Sequence, residues 1–147
     1  MEKDQKGLKK GTGRESLLGM IKGEQAKSGC VSEGAMLRMA ESLGVSVGDV
    51  YGVTTFYSFL STEPVGRHVI RICKSVPCLL QNAEMIIKCI EKELDIGPGE
   101  TTSDGRFSFE LTNCIGACDQ APAMLIDDEV YGHLIPERIS EILRSYE

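Results

Sequence analysis

The chain has 147 residues, with 16 Lys and Arg against 22 Asp and Glu for a formal charge of −6. That length fits one domain or two small ones, and the acidic balance offers no positive field for phosphate, which argues against nucleic acid and anionic membrane as partners. The longest apolar runs, such as residues 123 to 126, fall far short of the roughly 20 residues that span a bilayer, so no direct membrane insertion is expected.

Residues 1 to 13 are polar and lack periodicity, which predicts a mobile tail. Their charges are followed by no apolar core of a secretory signal, so a cytoplasmic location is expected. From Arg14 onward the spacing turns helical. Leu17, Leu18 and Ile21 mark a first helix to about Lys27. Ser32 is a candidate N-cap for a second, whose apolar face is Met36, Met39, Ala40 and Leu43, with Gly44 suited to a left-handed C-cap. Ser46 and Asp49 make a near capping box for a third helix, from Val47 to about Phe59, with an aromatic end of Phe56, Tyr57 and Phe59. Residues 14 to 62 therefore read as a small helical domain.

Glu63-Pro64-Val65-Gly66 breaks this pattern, because proline denies its predecessor the helical region and glycine permits almost any backbone angle. A second domain, residues 63 to 147, is expected from there. His68 to Cys73 alternates as a buried or half-buried strand. Leu79, Ala83, Ile86, Ile90 and Leu94 fall on one stripe of a 3.6-residue period, which predicts one helix ended by Gly97-Pro98-Gly99. Asp104-Gly105 is a two-residue hairpin signal. After it, Phe107, Phe109 and Leu111 alternate with Ser108, Glu110 and Thr112, the pattern of a strand with one buried face. Residues 123 to 126 form a short apolar strand, Asp127-Asp128-Glu129 a turn, and Val130-Tyr131 a return strand. Pro136 suits the first turn of a last helix, with Ile139, Ile142 and Leu143 on its apolar face. The order strand, helix, strand, strand, strand, helix predicts an α/β (α+β) sheet covered by helices.

The six cysteines are about 4% of the chain, below the roughly 8–10% of a disulfide scaffold, and a reducing compartment would keep them as thiols. Four fall in two pairs, Cys73-x4-Cys78 and Cys114-x3-Cys118, each just after a predicted strand. A 2Fe-2S cluster needs four thiolates, two for each iron, and loops of this length can turn both sulfurs toward one point. Gly116 would let backbone N–H groups approach. A structural zinc site with four cysteine ligands fits the same spacings. Two disulfides lack an oxidising compartment, and a thioredoxin-like dithiol lacks C-x-x-C. Cys30 and Cys89 read as packed or half-packed thiols. His68 and His133 have no carboxylate or second histidine at ligand spacing and read as structural or surface residues.

Gly11-Thr12-Gly13 follows no strand and fails as a dinucleotide fingerprint. No Gly-Lys dipeptide or serine nucleophile elbow occurs. The chain therefore shows no nicotinamide, flavin or nucleotide site, and no catalytic residue is expected on it.

Cys73-x4-Cys78, the stretch from Glu100 to Phe107, Cys114-Ile-Gly-Ala-Cys118 with Ala121-Pro122, the run from Tyr131 to Glu137, and upstream residues 50 to 58 together resemble the 24 kDa subunit family of respiratory complex I. The resemblance covers roughly residues 29 to 146. It implies a small helical N-terminal domain followed by a thioredoxin-like ferredoxin domain, with one 2Fe-2S cluster held by Cys73, Cys78, Cys114 and Cys118, and favours that cluster over zinc. It also implies an electron-transfer iron-sulfur subunit of a multi-subunit NAD(H)-linked oxidoreductase, with FMN and NAD(H) on a partner subunit. Members of the family occur in complex I, in NAD-linked formate dehydrogenases, and in NAD-linked or electron-bifurcating hydrogenases, beside further iron-sulfur or hydrogenase subunits. Three positions depart from the family pattern. Ser75 stands where many relatives have Gly, which bears on hydrogen bonding at the cluster; Ile135 replaces the usual Thr before Pro136; Cys30 stands where relatives often have Tyr.

Overall fold

The computed structural model describes residues 12–146. Residues 1 to 11 of the expected tail lie outside the described residues, and Thr12 and Gly13 belong to the first helix. The chain divides between Pro64 and Val65 into two units.

The first unit is three helices: α1 (Thr12–Ser28), α2 (Glu33–Leu43) and α3 (Val47–Phe56). Local chemistry sets the helix boundaries. The Ser32 hydroxyl accepts the Ala35 N–H at 3.3 Å, and Gly44 ends α2 at φ 64°. Ser46 and Asp49 close a full capping box at the start of α3. Leu17, Ile21, Val31, Ala35, Met36, Met39, Ala40 and Val50 make the core. The third helix stops three residues before its expected end, because Gln25 of α1 holds the following segment in another path. Its side-chain amide donates to the Phe59 carbonyl and accepts the Ser61 N–H, both at 2.7 Å, while the Ser61 carbonyl takes the Val31 N–H at 2.8 Å. Tyr57 turns to an extended φ of −92°. Phe56, Tyr57 and Phe59 all lie exposed.

The second unit is built on a four-stranded sheet in the order β2-β1-β3-β4. Its strands are β1 (His68–Cys73), β2 (Phe107–Thr112), β3 (Met124–Ile126) and β4 (Glu129–Tyr131). β1 runs parallel to β2 and antiparallel to β3, which pairs antiparallel with β4. Ile70, Ile72, Phe107, Phe109, Met124 and Ile126 pack with Ile86 and Ile90 of α5 (Ala83–Leu94) and Ile139, Ile142 and Leu143 of α6 (Pro136–Arg144). Each such buried side chain contributes about 1.5–3 kcal/mol. Val69, Arg71 and Cys73 alternate to the opposite face. Arg71 is tolerated there because its register partner is Glu110, whose carboxylate lies 2.9 Å from Nε.

Three expectations for the helices and strands of this unit need correction. The single helix from 79 to 94 is two, α4 (Val76–Leu80) and α5, because Asn82 turns left-handed at φ 62°. Asparagine is one of the few residues with a side chain that tolerates this region. Leu79 therefore leaves the apolar stripe and is 40% exposed. The Asp104-Gly105 hairpin exists with a longer connection. Gly105 adopts φ 68°, but the flanking pair is Thr102 N–H to the Phe107 carbonyl at 2.8 Å, which leaves residues 103 to 106 as the loop. Finally, β2 is not buried on one face alone, since Ser108 and Thr112 are buried too. Ser108 Oγ accepts the Gly66 N–H at 2.7 Å, which satisfies the hydroxyl. Among the described residues no helix is long and apolar enough to cross a membrane.

Gly66 lies flat against β2: a Cβ there would stand 2.7 Å from the Phe107 carbonyl carbon and 2.8 Å from the Ser108 nitrogen. Both are backbone atoms that cannot move aside cheaply. Gly66→Ala should therefore destabilise the protein by roughly 1–3 kcal/mol in denaturant unfolding. An unchanged midpoint would show that the chain entry to β1 is looser than this packing implies.

Candidate metal centre

Cys73 is the last residue of β1, and its backbone N–H is held by the Ala123 carbonyl at 3.2 Å. Three residues on, α4 begins at Val76 with Pro77 inside its first turn, where a missing N–H costs nothing, and so presents Cys78. β2 ends at Thr112, whose carbonyl takes the Lys74 N–H at 2.9 Å. That bond ties the start of one cysteine loop to the start of the other. Gly116, at φ 86°, bends the second loop, and Cys118 opens a single 3-10 turn, Cys118–Gln120. The Gly116 N–H points at Cys114 Sγ at 3.4 Å.

The four expected ligands come together as two pairs. Cys114 and Cys118 approach to 3.3 Å between sulfurs. Cys73 and Cys78 lie near enough for each to bear on the other's ionisation, and the charges of the two pairs influence one another. The pairs differ in their surroundings. Cys73 is 1% and Cys78 2% exposed, packed with Ala83, Ile115 and Ala121, whereas Cys114 and Cys118 are exposed. Burial pushes the Cys73 thiol up, but the Ser75 N–H, the Cys78 thiol, the Ser75 hydroxyl and the Ile115 N–H all donate to it and leave it below the ordinary thiol value. Burial, only partly offset by the Ala123 N–H, pushes Cys78 up. Cys118 is raised chiefly because its thiol donates to Cys114.

This donor set suits an iron-sulfur cluster. A single tetrahedral ion requires its ligands about one point at roughly 2.3 Å from the metal, and no trio of His, Cys, Asp or Glu gathers in that way among the described residues. Two separate thiol pairs match a centre with two metal atoms, and amides aimed at sulfur are the partners such sulfurs take.

Cys89 is half-buried with its thiol 3.6 Å from the Pro136 carbonyl, and Cys30 is buried. His68 does have a carboxylate partner. Its Nδ1 lies 2.7 Å from Asp127 Oδ2, a residue 59 positions away that no local spacing could reveal. Asp127 Oδ1 also accepts the Val69 N–H at 2.9 Å, so the pair braces the start of β1, at the strand end remote from Cys73. Sequence spacing also missed the Ile115 amide that helps to lower the Cys73 thiol pKa.

The family model described as thioredoxin-like [2Fe-2S] ferredoxin matches residues 5–147. The chain is 45% identical over 133 residues to a subunit of NADH-quinone oxidoreductase from Salmonella typhimurium and to its counterpart from Escherichia coli K12, across 90% of this chain and 80% of theirs. The counterpart from Pseudomonas aeruginosa is 41% identical over the same length. Among solved structures, an NAD+-reducing [NiFe]-hydrogenase in the air-oxidized state matches 87% of this chain with a TM-score of 0.74 and 22% identity, over 22% of that longer chain. At that identity the likeness concerns the fold, and the fold is the expected helical and thioredoxin-like sheet arrangement.

The difference in burial has a direct chemical readout. In the metal-free protein under reducing pretreatment, two thiols per chain should react rapidly with a disulfide reagent, and they should map to Cys114 and Cys118. Cys73 has the lowered thiol pKa, yet access rather than ionisation limits it. Equal labelling of Cys73 and Cys114 at early times would contradict this.

Proposed function

The chain belongs to the thioredoxin-like 2Fe-2S ferredoxin family, and from that premise we propose that it is an electron-transfer subunit whose Cys73, Cys78, Cys114 and Cys118 hold a 2Fe-2S cluster. The observation that carries this reading is the arrangement of four thiols as two pairs from two adjacent loops. Each pair would serve one iron. Bound there, the cluster supplies one-electron redox chemistry. The residues of the chain do the rest. Cys73 and Cys78, packed with Ala83 and Ile115, keep water from one side of the site, and the amides of Ser75, Ile115 and Gly116 face the sulfurs. Cys114 and Cys118 present the other side at the surface, where a redox partner can approach.

The relatives that support the assembly are subunits of NADH-quinone oxidoreductase. We assign this chain to a complex of that NADH-linked kind, beside a subunit that bears the flavin and binds NADH. Hydride carries two electrons and a 2Fe-2S centre ordinarily takes one, so a flavin must split the pair. No loop suited to nicotinamide or flavin occurs in this sequence. The competing reading, a structural zinc site on the same cysteines, needs four sulfurs about one point, which the paired arrangement does not favour.

Anaerobically purified protein should contain two irons and two sulfides per chain and give a low-temperature electron spin resonance signal after dithionite. Cys73→Ala, Cys78→Ala, Cys114→Ala and Cys118→Ala should each lose or destabilise that signal, whereas Cys30→Ala and Cys89→Ala should retain it. A colourless protein with one zinc per chain would sink the assignment.

NADH alone should leave the isolated chain oxidised, and added flavoprotein should allow reduction provided the reduction potential permits it. Stopped-flow absorbance with and without the partner, after the potential is measured, tests this. Rapid bleaching by NADH in the absence of flavin would reveal a nicotinamide site on the chain itself.

A further inference from the structure

The connection between β4 and α6 runs against the turn that carries Cys118. A Cβ on Gly132 would collide with the Gln120 Cβ and stand 2.7 Å from Gln120 Oε1 and 3.0 Å from the Gln120 carbonyl oxygen. The φ of Gly132 is not positive, so space rather than backbone angle calls for glycine here. His133 follows at φ 49°, a left-handed conformation that few residues with a side chain adopt. Its N–H donates to the Gln120 carbonyl at 2.6 Å, and the Leu134 N–H donates to the Pro122 carbonyl at 3.1 Å. Gln120 is the last residue of the 3-10 turn that Cys118 opens, and its own N–H donates to the Ala117 carbonyl at 3.1 Å. Just past Pro122, the Ala123 carbonyl accepts the Cys73 N–H at 3.2 Å. The segment from Cys118 to Ala123 is thus tied on one side to the β4–α6 connection and on the other to the end of β1.

We infer that Gly132 is a positioning residue for the cluster: by letting the β4–α6 connection lie flat on Gln120, it fixes the turn that presents Cys118. The inference rests on the ligand assignment proposed above. Cys118 is exposed, so burial of its own side chain does little to hold it, and support has to come from the backbone on either side. The connection supplies that support through close contact at Gly132 and two amide bonds. A methyl group at position 132 meets a Cβ and a carbonyl oxygen, which cannot swing aside as the end of a flexible side chain can, so the turn itself must shift. A ligand held a fraction of an ångström from its place binds its metal less well.

The test follows loss of the cluster to excess chelator by visible absorbance in full-length, cluster-loaded wild type, Gly132→Ala and Gly66→Ala, with the unfolding midpoint of each metal-free protein measured in parallel. Gly66→Ala is the control for general destabilisation, because Gly66 packs on β2 at the strand end remote from Cys73. Gly132→Ala should lose the cluster roughly tenfold faster than wild type, the scale on which residues behind metal ligands act, and Gly66→Ala far less for the same fall in midpoint. Gln120→Gly removes the opposing Cβ, so combined with Gly132→Ala it should bring the rate back toward that of Gln120→Gly alone. Unchanged cluster loss in Gly132→Ala would overturn the inference, as would equal acceleration in Gly66→Ala at the same midpoint. Should Gly132→Ala fail to fold, amide hydrogen exchange on the wild type decides, because coupling between two sites is reciprocal. Loading the cluster should slow exchange at His133 and Leu134 more than at Arg67 and His68, whose amides bond the Gly105 and Arg106 carbonyls at the far end of the sheet. Equal slowing at both places would overturn the inference. A wild type that takes up no cluster would overturn the functional reading as well, whereas a loaded wild type with a normal Gly132→Ala overturns this inference alone.

Discussion

Parallel pairing of β1 with β2 is the constraint on which the cysteine site depends. Two neighbouring parallel strands end at the same edge of a sheet, and the register that sets Cys73 opposite Thr112 makes both cysteine loops begin side by side. Antiparallel pairing would have sent the loops to opposite edges. The parallel arrangement requires a long crossover, and α4, α5 and the segment to Thr101 supply it. The same crossover lays α5 over the sheet, where Ile86 and Ile90 meet Ile70, Ile72, Phe107 and Phe109. Core formation and thiol convergence are thus consequences of one connection.

Strand alternation then decides which sulfur is buried. Ile70 and Ile72 point into the helix-covered core, so Cys73 must point to the other face. It does not meet solvent there, because Cys78, Ala83, Ile115 and Ala121 close around it. The second pair lies past the end of β2 on a loop with little cover, and remains exposed. A centre built this way has a protected side, where Cys73 and Cys78 are buried, and an open side, where Cys114 and Cys118 are exposed. For transfer of electrons between proteins that asymmetry is useful, since one side must be approached while the other is kept dry.

Elements governed by local chemistry were readable in the sequence. Ser32 and Gly44 bound α2, the Ser46-Asp49 box opens α3, β1 spans the alternating run, and Pro136 begins α6. Each of these depends on contacts within a few residues. The misreadings share the opposite property. The stripe from Leu79 to Leu94 is helical in period, but periodicity carries no trace of the left-handed turn at Asn82 that frees α4 to present Cys78. The early end of α3 follows from Gln25, more than thirty residues upstream. His68 finds Asp127 only because β1 and β3 are neighbours in the sheet, a pairing set by the whole fold.

The cysteine spacings illustrate the same divide. Two loops with three or four intervening residues were compatible with zinc and with a 2Fe-2S cluster alike, because spacing fixes how close two sulfurs of one loop can come and says nothing of how two loops face each other. The distinguishing property is the number of points on which the thiols converge. In this chain Cys114 and Cys118 close to 3.3 Å at the bend of Gly116, and β-strand register sets the two loops side by side, so the arrangement comes from the backbone rather than from the cysteines themselves. The backbone amides that face Cys73 and Cys114 follow from the same turns. Charge density at the sulfurs is therefore set by residues whose side chains have no redox chemistry. Substitutions there can alter how readily an electron is held while every ligand stays in place.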